Sequence, residues 1–219
     1  MKYLITILAL CLVLTVNSQT VTINHTNYTT TWSDSLDYPL KVEWYETIAR
    51  DGCKSPLPRK DKFAPDPLRK AQTDLQKYYE QANTEHKAKG LKVFDRGHMC
   101  PAASNQCQTQ AVEDECFYFS NMAPQYHALN AGDWKTLETL SRNLALQYDS
   151  VHIWAGSVGI EERFGLLTIP SKCWKVIYIL RTKEYQAYIF DNRDQKQTGL
   201  PSHKVQLIDV IKLTGYTFE

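Results

Sequence analysis

Residues 173–180, CWKVIYIL, are largely apolar on both alternate faces, a pattern that suits the central strand of a sheet and little else. Further runs rich in Val, Ile, Tyr, Phe and Trp, at 40–48, 91–95, 116–120, 151–155 and 185–190, supply other strands. Three stretches repeat at helical spacing instead. These are Leu68, Ala71, Leu75, Tyr78 and Ala82; Trp134, Leu137, Leu140, Leu144 and Tyr148; and Val205, Ile208 and Ile211, which run up to Gly215 as a C-terminal stop. Strands and helices mix without regular alternation. The expectation is an α+β fold, a mixed or antiparallel central sheet flanked by helices.

The first eighteen residues read as an export signal. Lys2 supplies the positive start, residues 3–16 an apolar run, and Val16-Asn17-Ser18 the site of cleavage before Gln19, leaving residues 19–219 as one domain. The run is too short for a membrane span, and no later stretch reaches about 18 uninterrupted apolar residues. A secreted or periplasmic protein, clear of the membrane once processed, is expected. In an oxidising compartment Cys53, Cys100, Cys107, Cys116 and Cys173 are disulfide candidates, and five cysteines make at most two bridges whose pairing stays open. A zinc site of His98, Cys100, Cys107 and Cys116 is the rival, though its spacings match no common zinc signature.

Aromatic residues, 11% of the chain, exclude intrinsic disorder. With 25 Lys+Arg against 24 Asp+Glu, overall charge recruits no acidic partner, so any phosphate site has to be a local patch. The cluster Arg50, Lys54, Arg59, Lys60, Lys62, Arg69 and Lys70, set among Asp51, Asp61 and Asp66, is either a solvated loop or a rim that tracks phosphates. The oligomeric state is open.

The chemistry concentrates between Phe94 and Arg142. A strand ending in Asp95-Arg96-Gly97-His98, a loop, a second strand and a helix bring an imidazole opposite a polar helix terminus. The strings DRGHMCPAASN from Asp95, FYFSNMAPQ from Phe117 and LNAGDWKTLE from Leu129 resemble those of the DNA/RNA non-specific endonucleases, whose active site is a ββα-metal finger. That resemblance implies His98 as general base and Asn130 as the single protein ligand of a catalytic Mg²⁺, with Mn²⁺ as a substitute. It further implies Glu138 as a carboxylate near the metal, Arg96 and Arg142 as cations beside the scissile phosphate, and Arg59 as a further phosphate contact. The implied function is cleavage of DNA, and of RNA, with little sequence preference; the alternative is a secreted nucleic-acid-binding protein on the same scaffold without turnover.

Those residue types fit phosphodiester hydrolysis, which needs a base for water, positive charge for the transition state and help for the departing alkoxide. A histidine of ordinary pKa, about 6.5, is basic yet largely neutral near pH 7, and its titration predicts activity rising with pH. One amide oxygen leaves a hydrated Mg²⁺ open to phosphate and water. Eight helical positions from Asn130 place Glu138 roughly 12 Å along and about 80° around, so contact through metal-bound water is expected. Structural roles compete with each reading: a Glu138–Arg142 salt bridge at i,i+4, Asn130 as an N-cap, His98 as a core histidine. His127 reads as a surface or supporting residue.

Overall fold

The computed structural model describes residues 20–69, 74–194 and 198–219. The export signal and its cleavage point after Ser18 lie outside these residues, as do Lys70 of the cationic cluster and Ala71 of the first expected helix. The described strands are β1 (Thr20–Asn24), β2 (Thr29–Ser33), β3 (Tyr38–Thr47), β4 (Phe94–His98), β5 (Met122–Tyr126), β6 (Ser150–Val158), β7 (Glu162–Phe164), β8 (Leu167–Ile169), β9 (Lys172–Ile179), β10 (Glu184–Asp191) and β11 (Lys204–Val205). The helices are α1 (Ile48–Asp51), α2 (Gln76–Ala88), α3 (Gln110–Glu115), α4 (His127–Leu129), α5 (Lys135–Tyr148) and α6 (Leu207–Thr214).

One sheet runs β1-β2-β3-β6-β9-β10-β11, antiparallel at every pairing. β9 lies between β6 and β10 with Cys173, Trp174, Lys175, Val176, Ile177 and Ile179 buried, so both its faces are covered as its sequence demands. Cys173 and Ile177 share a core with Ile153 of β6 and with Trp134, Leu137, Leu144 and Ala145 at α5. Trp174 and Val176 share another with Trp154, Ala187, Phe218 and Val210 of α6. Each such side chain gains about 1.5–3 kcal/mol on burial, which is why a strand apolar on both faces takes a helix on each side. α6 starts at a capping box between Gln206 and Asp209 and stops at Gly215, whose φ of 74° only glycine adopts without strain.

A third core holds the ribbon of β4 and β5 under α2, through Leu75, Tyr79, Ala82, Phe94, Phe119 and Met122. Here the structure corrects two expectations. The helix lies further along the chain than its apolar spacing suggested: it spans Gln76–Ala88 and buries Tyr79, Ala82 and His86, with Leu75 just before it and Leu68 exposed. Residues 116–120 form no strand. They turn, and the partner of β4 is Met122–Tyr126, because the Asn121 side chain takes the Cys100 amide and donates to the Cys100 and Cys116 carbonyls at 2.8–2.9 Å, fixing a turn in place of a ladder. Phe117 and Phe119 are buried in that turn, so their apolar character carried no information about extension. Pro124 is tolerated within β5 because the ribbon has only two strands.

Gly97 marks the closest approach within this ribbon. A Cβ there would lie 2.1 Å from Oε1 and 2.4 Å from Cδ of the buried Gln125. Gly97→Ala is expected to cost about 1–3 kcal/mol by overpacking, read as a lower denaturation midpoint with an unchanged m-value. A midpoint equal to that of the wild type would show that Gln125 yields freely.

Cys53 and Cys107 are bridged, which ties the loop after α1 to the loop after β4. Cys107 is thereby removed from the zinc set, and among the described residues no group of three or more His, Cys, Asp or Glu is arranged to hold a metal. The zinc reading falls. The cationic cluster also disperses: Arg50 is buried and donates to the Ser104, Asn27 and Tyr45 carbonyls, Arg69 pairs with Asp34, and Lys62 pairs with Asp114. Of the described members of that cluster, Arg59 is the one that faces the pocket described below. No helix among the described residues is long and apolar enough to cross a membrane.

Candidate active site

β4 delivers Arg96 and His98; β5 pairs with it, and α4 then leads through an irregular turn, Asn130–Trp134, into α5. Gly132 breaks the helical path there, with φ −100° and ψ −113°, so Asn130 does not share the regular spiral of Glu138. Trp134 Nε1 donates to the His98 carbonyl at 3.0 Å and so fastens the helix to the strand. Asp133 holds the other side of the turn, accepting from the Thr198 and Gly199 amides and lying 3.2 Å from His203 Nε2.

These elements enclose a pocket of about 330 Å³ lined by Arg59, Arg96, His98, Asn130, Glu138 and Arg142, the six residues singled out from the sequence, together with Asp95, His127 and Lys135. Pro101, Ala102 and Ala103 form a small apolar wall. Four permanent cations face two carboxylates. The balance favours an anion.

His98 is buried, with its ring edge-on to Phe117 at 5.1 Å and tilted against Phe63 at 5.9 Å. Its Nε2 has no protein partner and is left open toward the pocket. Burial, with the Arg59 charge beside it, pushes its pKa down to about 3. A titration of His98 near neutrality, expected of an ordinary histidine, is therefore displaced far to the acid side.

Asn130 Nδ2 donates to Asp95 Oδ2 at 2.8 Å. A carboxylate only accepts, so this bond fixes the amide and leaves Oδ1 as the free donor atom for a cation. The same Asp95 oxygen lies 2.8 Å from Nδ1 of the exposed His127, which gives that histidine a supporting part. Asn130 makes no N-cap contact. Nothing in the spacing of Asp95 marks it for this part, which depends on α4 turning Asn130 back from the end of β5 toward β4.

No ion pair joins Glu138 to Arg142 among the described residues; Arg142 Nη2 instead donates to Thr139 at 3.2 Å. Burial lifts the Glu138 carboxyl above its ordinary range, against the opposing charges of Lys175 and Arg142. Lys175, also missed in the sequence, is fully buried behind it, with Nζ 4.3 Å from the centre of the Trp134 ring. Its own pKa is lowered by burial and supported by Glu138 and Glu46. Arg96 stacks over Phe63 and Tyr79, at 4.8 and 5.2 Å, and Nη2 donates to Gln76 at 2.6 Å. Arg59 lies over Phe117 at 5.3 Å and pairs with Asp61 at 2.7 Å.

The family described as DNA/RNA non-specific endonuclease matches residues 12–219. The chain is 29% identical over 181 residues to the mitochondrial nuclease EXOG of Xenopus laevis, covering 72% of this chain and 47% of that protein. It is 33% identical over 143 residues to nuclease C1 of Cunninghamella echinulata var. echinulata, covering 57% and 56%, and 35% over 138 residues to a nuclease of Serratia marcescens, covering 57% and 50%. It thus spans about half the length of these relatives. In fold it is similar to a crystal structure of an EndoG/EndoGI complex, with a TM-score of 0.72 at 22% identity, covering 90% of this chain and 84% of that one.

Proposed function

The chain belongs to the DNA/RNA non-specific endonuclease family, and from that premise we propose that it is a divalent-metal-dependent endonuclease that hydrolyses phosphodiester bonds in DNA and RNA with little sequence preference. The observation that carries this reading is the pairing, in one cationic pocket, of an imidazole with a free Nε2 and an amide oxygen left unengaged by Asp95. A single neutral oxygen donor, with a nearby carboxylate, is the donor set of a hard, hydrated cation such as Mg²⁺, with Mn²⁺ able to replace it. Asn130 would hold such an ion with the Glu138 carboxylate nearby, and the ion would supply positive charge for the phosphate oxygens and the departing alkoxide.

The chain's own groups do the rest. His98 Nε2, which no protein group engages, takes the proton of the attacking water, while Phe63 and Phe117 hold the ring in place. Arg96 and Arg142 flank the phosphate, and Arg59 meets it from the loop; each guanidinium matches phosphate oxygens in shape and charge. Contacts of that kind read backbone and not bases, which supports low sequence preference. The apolar start of the sequence and the Cys53–Cys107 bridge support a secreted or periplasmic location.

Incubating purified protein with plasmid DNA and with RNA, with and without Mg²⁺, tests the proposal. Metal-dependent cleavage of both is expected. Retention of nucleic acid without any cleavage would leave only the binding-protein alternative.

The low pKa of His98 gives a pH prediction. In the free enzyme, burial and Arg59 disfavour the imidazolium; a bound phosphate adds negative charge and raises the pKa again. Since kcat/KM reports the free enzyme and kcat the complex, the acid limb of kcat should lie at higher pH than that of kcat/KM. Coincident limbs would show that substrate charge does not reach His98. Arg59→Ala should shift the limb of kcat/KM upward.

A further inference from the structure

Cys100 lies just past His98, and Cys116 lies just before Phe117, whose ring packs edge-on against His98. Both thiols are buried and outside the Cys53–Cys107 bridge. Two separate sets of contacts bring them together. Asn121 Nδ2 donates to the carbonyls of both residues, at 2.8 and 2.9 Å, so their backbones converge whatever their sulfurs do. Asn105 Nδ2 reaches both sulfurs, at 3.6 Å for Cys100 and 2.6 Å for Cys116, so one amide nitrogen sits against both thiols. The fifth cysteine stands apart: Cys173 Sγ accepts from Gln125 Nε2 at 3.3 Å and lies 3.8 Å from Ser157 Oγ.

We propose that Cys100 and Cys116 form a second disulfide, which braces the turn behind His98 and makes the active geometry sensitive to thiol reductants. Cys100 is the attacking sulfur. Arg50 Nη2 lies 3.4 Å from its sulfur and favours the thiolate. The oxidant is a small disulfide such as oxidised glutathione, met late in folding, once Arg50 has reached Cys100 and before the site closes over the pair. The Cys100 thiolate attacks one of its sulfurs and releases a glutathione thiolate; Cys116, after losing its proton, attacks the Cys100 sulfur of the mixed disulfide and releases the second. Two protein thiols are oxidised and one glutathione disulfide is reduced to two thiols.

The test uses the full protein, refolded in a mixture of oxidised and reduced glutathione, alkylated, and digested without reduction for mass spectrometry. A linked Cys100–Cys116 peptide is expected, with Cys53–Cys107 linked and Cys173 alkylated. Alkylated Cys100 and Cys116 alongside an intact Cys53–Cys107 bridge would overturn the proposal, as would Cys100 linked to Cys173. The brace is read separately. In Cys53→Ser/Cys107→Ser, dithiothreitol should lower Tm by roughly 5–10 °C and kcat/KM several-fold. Should that variant not fold, wild type is compared with Cys116→Ala, which should lose the part of the dithiothreitol response that the second bridge supplies. Unchanged Tm and kcat/KM on reduction of the Cys100–Cys116 link would refute the brace. The linked peptide and Tm report on the bridge without relying on cleavage.

Discussion

His98→Ala should lower turnover by about 10²–10⁴-fold, the usual contribution of a positioned general base, with little change in substrate or metal affinity. The argument is geometric. The ring occupies a slot between Phe63 and Phe117 and offers one free nitrogen to the pocket, while Arg59, Arg96, Arg142 and Asn130 keep their own supports after truncation. Removing the ring should therefore spare KM, and raising Mg²⁺ should not restore the rate. A defined oligonucleotide at saturating Mg²⁺ gives both constants. Near-wild-type kcat, or full rescue by metal, would remove His98 from the role of base.

The second large effect concerns the cation. Exhaustive chelation should abolish cleavage, and added Mg²⁺ should restore it, because a lone amide oxygen holds a divalent ion loosely enough to exchange. Asn130→Ala removes that oxygen, so its defect should shrink as Mg²⁺ rises, in contrast with the flat response of His98→Ala. Asp95→Ala should mimic it more weakly. The amide oxygen remains, but the bond that aims it is gone. Titrating activity with Mg²⁺ across the three variants separates base, ligand and aiming group; full activity after chelation, or identical titration curves, would refute the division.

The central strand at 173–180 and the helix bearing Leu137 and Leu144 were legible in the sequence because burial on fixed faces imposes periods of two and 3.6. His98 and Asn130 were legible as members of motifs. What escaped depends on contacts that no period records. The hairpin of β1 and β2 gives a weak signal: β1 alternates only two apolar residues, Val21 and Ile23, with its polar ones, and β2 is a threonine run with Trp32 as its one large apolar side chain. The turn at 116–121 is dictated by one Asn side chain bonding across to Cys100. Arg50 counted as surface charge until its guanidinium proved to be spent on backbone carbonyls. Asp95 gains its meaning only once α4 turns Asn130 back toward β4.

Arg59 differs from its companions in what carries it. Arg96, His98, Asn130, Glu138 and Arg142 stand on β4, on the turn behind α4 and on α5, each packed into a core, whereas Arg59 stands on an irregular loop anchored at one end by the Cys53–Cys107 bridge. The pocket thus has one wall that cannot change without unfolding its support and one that can be rewritten residue by residue. Under the proposed function, selection on which nucleic acids are accepted would meet little resistance in the loop and a great deal in the ribbon and helix, so lineages of such a chain should diverge in substrate taste while the residues proposed to cleave stand still.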